Sequence, residues 1–547
     1  MTPTRLLMID VADIQDYIFG SNNLQQNLGA SELVTQATSR WIFEVLKDLE
    51  FAHNGEVTGE WLDYVILNKK HVAHELDVEV IYAGGGNAAL LFVKEEDCRK
   101  FVRQWTRRVF DEARGLQPKV KSTAIKWDNE ALTNKLDELR RNLHGGTPAA
   151  PLLGLGVTAA CVFTGLPATT VEDDKLISTV VKHKLKVRKN ADERLHNVLP
   201  QVKKANLDFI YDFDQIGTAD EFSYLAVIHI DGNRMGKRRI KFLEQFNASE
   251  KNDACVVAMR KFSQTLQQAA AQALKNTVDQ LLEIKGRDPK DGKLKFGQDK
   301  KIVAPRIDRV ERIPFRPIVF GGDDVTFVCD GRLGLSLAAA YLQAFAEQTL
   351  ADGEPAYARA GVAIMKSHFP FSRSYELAEQ LCASAKEWRK DICRKYDLTD
   401  ALTMDWHFST TGMVSDLKQI RKREYTVPNG ELYMRPIVLS RPQGDEARRI
   451  QEWRTWPTFN ELVRYFKEDE EWKNRRNKVK ALRTALRAGP DAVELFWHNY
   501  AKSNERLKKI APIAYAVDRG WDGPKCVYFD AIEAMDFFTS LKGNAKS

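Results

Sequence analysis

A chain of 547 residues with 44% apolar and 29% charged side chains has the make-up of a folded globular protein of about three or four domains, which excludes disordered and fibrous classes. Its net charge of +7 permits nucleotide or nucleic-acid contact without demanding it. No run approaches the roughly 20 apolar residues of a membrane helix, and the seven cysteines are scattered without Cys-x-x-Cys spacing. A cytoplasmic protein with reduced thiols, no membrane partner and no zinc ribbon is expected.

In chain order, residues 6–9 read as a strand ending in Asp10, and a helical stretch follows near residues 30–34. Residues 78–83 and 88–93 then read as a hairpin closed by Gly84, Gly85, Gly86 and Asn87. This strand, helix and glycine hairpin make a first α/β unit over residues 1–170. Its hairpin leaves room for a phosphate but carries no carboxylate, which marks a degenerate copy of the unit further on. Residues 171–220 are polar and lysine-rich, with Lys182, Lys184, Lys186 and Lys189, and predict a solvated helical connector.

The second unit, residues 221–410, opens on Tyr224-Leu-Ala-Val-Ile-His-Ile230, a buried-strand pattern running into Asp231, Gly232 and Asn233. A long helix follows, with Met259, Phe262, Leu266, Ala269, Ala273 and Leu281 at near-helical spacing. Residues 285–301 read as a charged loop. The apolar runs 318–320 and 325–328 then flank Gly321, Gly322, Asp323 and Asp324. Two adjacent carboxylates repel, and a bound divalent cation turns that liability into a ligand set. A helix over 335–350, a strand over 357–365 and a helix over 374–396 complete the unit; Lys386 on the last helix is a candidate for a triphosphate.

From residue 411 to 547 the pattern is helical. Thr458-Phe-Asn-Glu461 reads as a capping box, and Arg475, Arg476, Lys478, Lys480, Arg483 and Arg487 crowd one face. That face suits a solvated bundle or contact with a partner or RNA.

Strand, helix and carboxylate hairpin is the order of the palm domain of nucleotide polymerases and nucleotidyl cyclases. More narrowly, the chain resembles the large polymerase-cyclase subunit of type III CRISPR effector complexes. The resemblance rests on Asp13-Ile-Gln-Asp-Tyr-Ile-Phe19 with Gly29-Ala-Ser-Glu32, on the carboxylate-free hairpin at residues 84–86, on Ile230-Asp-Gly-Asn233, on the hairpin at residues 321–324 and on Ala385-Lys386. It implies an α/β (α+β) fold of two ferredoxin-like palm domains, the first degenerate, with a C-terminal helical domain. It also implies two ATP molecules bound between the palms and joined into cyclic oligoadenylates when the complex binds target RNA.

On this reading Asp231, Asp323 and Asp324 hold two Mg²⁺ (or Mn²⁺) ions. Gly232, Asn233, Gly321, Gly322 and Lys386 attend the nucleotide, while Ser31, Gly84, Gly85 and Gly86 seat the acceptor. The implied partners are ATP, the guide RNA–protein subunits of the effector complex and target RNA, in antiviral defence. None of the ten histidines is followed by Asp, so the His-Asp nuclease domain of many members is not expected. In Cys161-Val-Phe-Thr164-Gly-Leu-Pro167, Thr164 holds a would-be ligand position of the family's four-cysteine site, so zinc is not expected either. The alternatives are a catalytically idle scaffold of an RNA-guided complex, a stand-alone signalling cyclase, or a template-dependent polymerase, whose long channel the modest charge does not advertise.

Overall fold

The computed structural model of the chain describes residues 2–57, 64–68, 75–144, 157–217, 223–409, 416–439, 453–470, 472–500 and 520–541. The junctions expected at 220–221 and 410–411 lie outside the described residues.

The first sheet is built from β1 (Arg5–Ala12), β2 (Val78–Gly84), β3 (Asn87–Phe92) and β4 (Gln117–Ala124), in the order β2-β3-β1-β4 with antiparallel neighbours. Helices α1 (Ile14–Phe19) and α2 (Leu24–Thr38) leave β1, and α3 (Glu95–Glu112) joins β3 to β4. This is a ferredoxin-like unit. The connector supplies α4 (Thr179–Lys186) and α5 (Arg188–Val198), both packed on α2. Its expected lysines are not all solvated. Lys184 is buried, with Nζ donating to the Tyr17 carbonyl at 2.6 Å.

Gly29 of α2 makes this packing possible: a Cβ there would sit 1.8 Å from the Lys184 backbone oxygen. Neither helix backbone yields cheaply, so Gly29→Ala is expected to destabilise the fold by about 3 kcal/mol. A chemical melt within 0.5 kcal/mol of the parent would show that the two helices are not in this contact.

The second sheet repeats the plan and extends it. It comprises β5 (Tyr224–Gly232), β6 (Phe315–Val319), β7 (Asp324–Asp330), β8 (Ala358–Lys366), β9 (Thr403–Ser409) and β10 (Ile437–Val438), ordered β6-β7-β5-β8-β9-β10. Helix α6 (Asn252–Glu283) separates β5 from β6, α7 (Gly334–Ala346) separates β7 from β8, and α8 (Phe371–Tyr396) leads from β8 into the parallel strand β9. Strand β5 is central and covered on both faces, which is why its sequence is continuously apolar rather than alternating.

The two palms are tied together in the interior. Arg260 of α6 reaches Glu79 of β2 at 3.1 Å, with both side chains almost fully buried. Phe19 of α1 stacks on Tyr375 of α8, ring centroids 3.7 Å apart. Palms, connector and tail share one continuous apolar cluster.

The tail carries α9 (Trp456–Glu468), α10 (Arg476–Ala488), α11 (Pro490–Tyr500) and α12 (Phe529–Ala534), beside a small four-stranded sheet of residues 426–427, 430–431, 521–522 and 525–526. Helix α9 starts earlier than the capping box predicted. Thr455 is the N-cap, accepting from the Thr458 N–H, and Pro457 follows in the first turn, where its missing N–H costs nothing. No described helix is long and apolar enough to cross a membrane.

Candidate active site between the two palms

Sheet register places the strand carboxylate and the hairpin carboxylate side by side. Asp231, near the end of β5, is the direct partner of Asp324, the first residue of β7. Opposed residues of an antiparallel pair share a face, so both carboxylates lie on the same side of the sheet. Gly232 lets the hairpin close against them. Its N–H donates to the Asp323 carbonyl at 2.9 Å, and a Cβ there would lie 2.7 Å from the Asp323 Cβ.

The first palm has the same register with different chemistry. Asp10 of β1 faces Asn87 of β3, so an amide stands where the second palm has Asp324. The first copy therefore keeps its strand carboxylate and lacks both hairpin carboxylates, Gly86 and Asn87 standing where the second hairpin has Asp323 and Asp324.

The two hairpins face one another across a cavity of about 490 Å³. It is lined by Gly84, Gly85 and Gly86 from one side and by Gly321, Gly322, Asp323 and Asp324 from the other, with Ser31 between them. All three glycines of the first hairpin have positive φ, and a Cβ on Gly85 or Gly322 would meet nothing within 4 Å. The backbone is thus bare where a ligand would approach.

Four predicted residues are not among those lining the cavity, Asp231 included, which adjoins the lining only through its pairing with Asp324. Lys386 is exposed on α8 and does not line the cavity. Asn233 is buried, its amide donating to Asp400 at 2.9 Å and to the Ala401 carbonyl at 3.0 Å, which gives it a loop-fixing role. Gly232 serves hairpin packing, as above.

The charge of this cluster is uncompensated on one side only. Arg359 of β8, in register with Asp231 on its other flank, forms a close ion pair with the Asp231 carboxylate and donates to the Gly232 carbonyl at 3.2 Å. Asp324 has no such cation. Its Oδ1 is sealed and lacks a hydrogen-bond partner, although the side chain as a whole is 43% exposed. His229 approaches that oxygen at 3.4 Å, but burial lowers the pKa of the imidazole and favours its neutral form. Burial first and the Asp231 charge second push Asp323 up to about 6 and Asp324 up to about 7.

A hard divalent cation fits this donor set: three carboxylates, one orphaned oxygen and two carboxyls that are costly to ionise without a counter-charge. As they stand the three are not drawn together. Among the described residues no three acidic, His or Cys side chains converge as a ligand group, and Arg359 holds Asp231 from the far side.

The raised pKa values fix a pH trend. Between about pH 4 and 7 the folded state keeps protons on Asp323 and Asp324 that the unfolded chain releases, so their contribution favours folding at low pH and is lost as pH rises through 6 to 7. Melting of the metal-free protein at pH 5.5 and 7.5 should therefore differ from that of an Asp323→Asn/Asp324→Asn variant, the variant gaining relative stability at the higher pH. A constant difference between the two proteins would mean that these carboxyls titrate normally.

Several lining residues carried no chemical signal of their own in the sequence. Gln15 lies inside the Asp13–Phe19 stretch, lines the cavity and acts to lower the Asp324 pKa. Gln267 sits on a helix legible only by its apolar spacing, and Arg194 on a connector read as solvated. For Arg359 a signal existed: a lone guanidinium within the apolar strand Ala358–Lys366. At the Cys161 turn the Thr164 hydroxyl stands 3.4 Å from that of Ser178. Burial raises the Cys161 pKa, but hydrogen bonds from Thr164 and from backbone N–H groups outweigh it and bring the thiol to about 7.

Residues 224–393 match the family described as Cas10/Cmr2, second palm domain. No curated protein matches the chain. Among solved structures, the apo Csm1-Csm4 cassette aligns at TM-score 0.50 and 13% identity, covering 98% of this chain and 70% of that one. The cassette in complex with pppApA aligns at 0.51 and 13%, covering 97% and 69%. The Csm1-Csm4 subcomplex of the type III-A CRISPR-Csm interference complex aligns at 0.50 and 12%, covering 98% and 70%. At these identities the likeness is one of fold.

Proposed function

We propose that this Cas10-like subunit of the type III CRISPR kind is a nucleotidyltransferase that joins and cyclises ATP into oligoadenylates. The observation that carries the reading is Asp324, paired in register with Asp231, at one wall of a cavity whose other wall is the bare hairpin of the first palm. A structural relative holding pppApA, a linear product of the same chemistry, supports it.

The reaction forms a bond from a 3′-oxygen to an α-phosphorus, breaks the α-phosphorus bond to pyrophosphate and frees the hydroxyl proton. Asp231 and Asp324 would hold two Mg²⁺ or Mn²⁺ ions, with Asp323 as a further ligand or orienter. Bound there, such ions supply Lewis acidity at the attacking hydroxyl and the departing pyrophosphate. Gln15, lining the cavity from the first palm, favours the ionised Asp324 carboxylate. Residues 84–86 and Ser31 seat the acceptor, and Gly321 and Gly322 clear space for the donor. No structural zinc is proposed at the Cys161 turn. The partners proposed are further subunits of an RNA-guided effector complex, guide RNA and target RNA.

The ion pair between Arg359 and Asp231 favours a second reading, an idle scaffold in which the carboxylate is permanently neutralised. Incubating the pure protein with ATP and Mg²⁺, with and without RNA, separates the two. Pyrophosphate release under either condition supports the transferase. Its absence under both, with nucleotide still bound, supports the scaffold.

A further inference from the structure

We infer that Arg194 is the phosphate anchor of the inter-palm cavity, a connector residue that grips the phosphate chain of a nucleotide lying between the palms. The inference rests on the nucleotidyltransferase reading and extends it to a residue outside both palms.

The lining is acidic: Asp13, Asp16, Asp323 and Asp324 all face the cavity. A nucleoside triphosphate is itself a polyanion, so it needs a fixed cation as well as metal to enter such a site. Among the described lining residues Arg194 is the one Lys or Arg. Lys386, the candidate read from sequence, does not reach the cavity.

The Arg194 side chain is held in place before any ligand arrives. Its Nε donates to Glu32 Oε2 at 2.8 Å, while the other oxygen of Glu32 accepts from Gln36 at 2.8 Å. Its guanidinium lies over the Phe320 ring, 4.3 Å from the centroid. The side chain is only 13% exposed. Its two terminal nitrogens have no hydrogen-bond partner among the described residues, although it borders a cavity rich in carboxylates. One edge pinned by a carboxylate and one face pinned by a ring leave the terminal N–H groups as a fork, the shape that binds phosphate oxygens in pairs.

The anchor joins three parts of the chain. Arg194 belongs to α5, Glu32 to α2 of the first palm, and Phe320 directly precedes the hairpin of the second palm. A nucleotide held by Arg194 therefore touches the connector, and a shift of α5 would be felt at the phosphates.

The test is calorimetric titration of the full chain with Mg²⁺ and three probes: a non-hydrolysable ATP analogue, tripolyphosphate and adenosine. Arg194→Gln should weaken the analogue and tripolyphosphate at least about tenfold while leaving adenosine unchanged. Arg194→Lys, which keeps the charge but not the fork, should recover part of the loss. An equal loss of adenosine would make Arg194 a base-stacking residue and overturn the anchor, as would unchanged tripolyphosphate binding. Should Arg194→Gln fail to fold, Glu32→Gln keeps the arginine and removes its counter-charge. That variant should bind tripolyphosphate more tightly, and unchanged or weaker binding overturns the inference. If the parent chain binds neither analogue nor tripolyphosphate, the nucleotidyltransferase reading falls and the anchor with it. If it binds both and Arg194→Gln binds them equally well, the anchor alone is wrong.

Discussion

Asp324→Ala is expected to lower turnover of ATP by at least about a thousandfold while the melting temperature holds or rises. The two effects have one cause. Asp324 carries an orphaned oxygen beside two other carboxylates, and its pKa is pushed to about 7, so its ionised form costs the apo fold stability. Its in-register place beside Asp231 makes it indispensable once a cation has to be held. Asp231→Ala should lose activity comparably but with a penalty to the fold, because Arg359 is left buried without its carboxylate. The contrast between the two variants is diagnostic. Near-normal turnover of the Asp324 variant would sink the metal-dependent mechanism.

The second large effect is expected at the carboxylate-free hairpin. Gly85 has φ of +64° and open space where a Cβ would stand, so a side chain added there enters the cavity rather than the protein interior. Gly85→Leu should reduce product at least about a hundredfold by displacing the acceptor nucleotide. It also carries a backbone cost of about 1–2 kcal/mol for a left-handed residue. Gly85→Asn avoids most of that cost, since asparagine tolerates the conformation and fills less of the cavity. A titration that falls from two nucleotide sites to one in the leucine variant, with that variant less stable than the asparagine one by no more than this backbone cost, is the expected result. Two sites and full turnover in the leucine variant would remove the first palm from the reaction.

Much of this was legible in the sequence because the signals were local. The apolar run Tyr224–Ile230 ending in Asp231, and the glycines and carboxylates of residues 321–324, state their structure through composition and spacing. So does the bare hairpin at residues 84–86. What could not be read was register and reach across the fold. That Asn87 replaces Asp324 in the first palm is visible only once Asp10 and Asn87 are paired. Lys386 looked suitable because a helical lysine near a palm can reach a phosphate; the turn of α8 instead sets it in solvent. Arg194 looked like one more cation of a solvated connector, and only the packing of α5 on α2 carries it to the cavity. The N-cap of α9 was misplaced because Thr455 and Thr458 offer the same hydroxyl and the flanking proline decides between them.

The proposed reaction requires Asp231 and Asp324 to act as a pair, with Asp324 lining the inter-palm cavity. Mass spectrometry of the products formed from each of the four nucleoside triphosphates with Mg²⁺, in the presence and absence of RNA, tests it most directly. The account predicts adenylate oligomers from ATP, including species lacking a terminal triphosphate as ring closure requires, and none from the Asp324→Ala protein. Unreacted triphosphate in every reaction, or the same products from the Asp324→Ala protein, would contradict it.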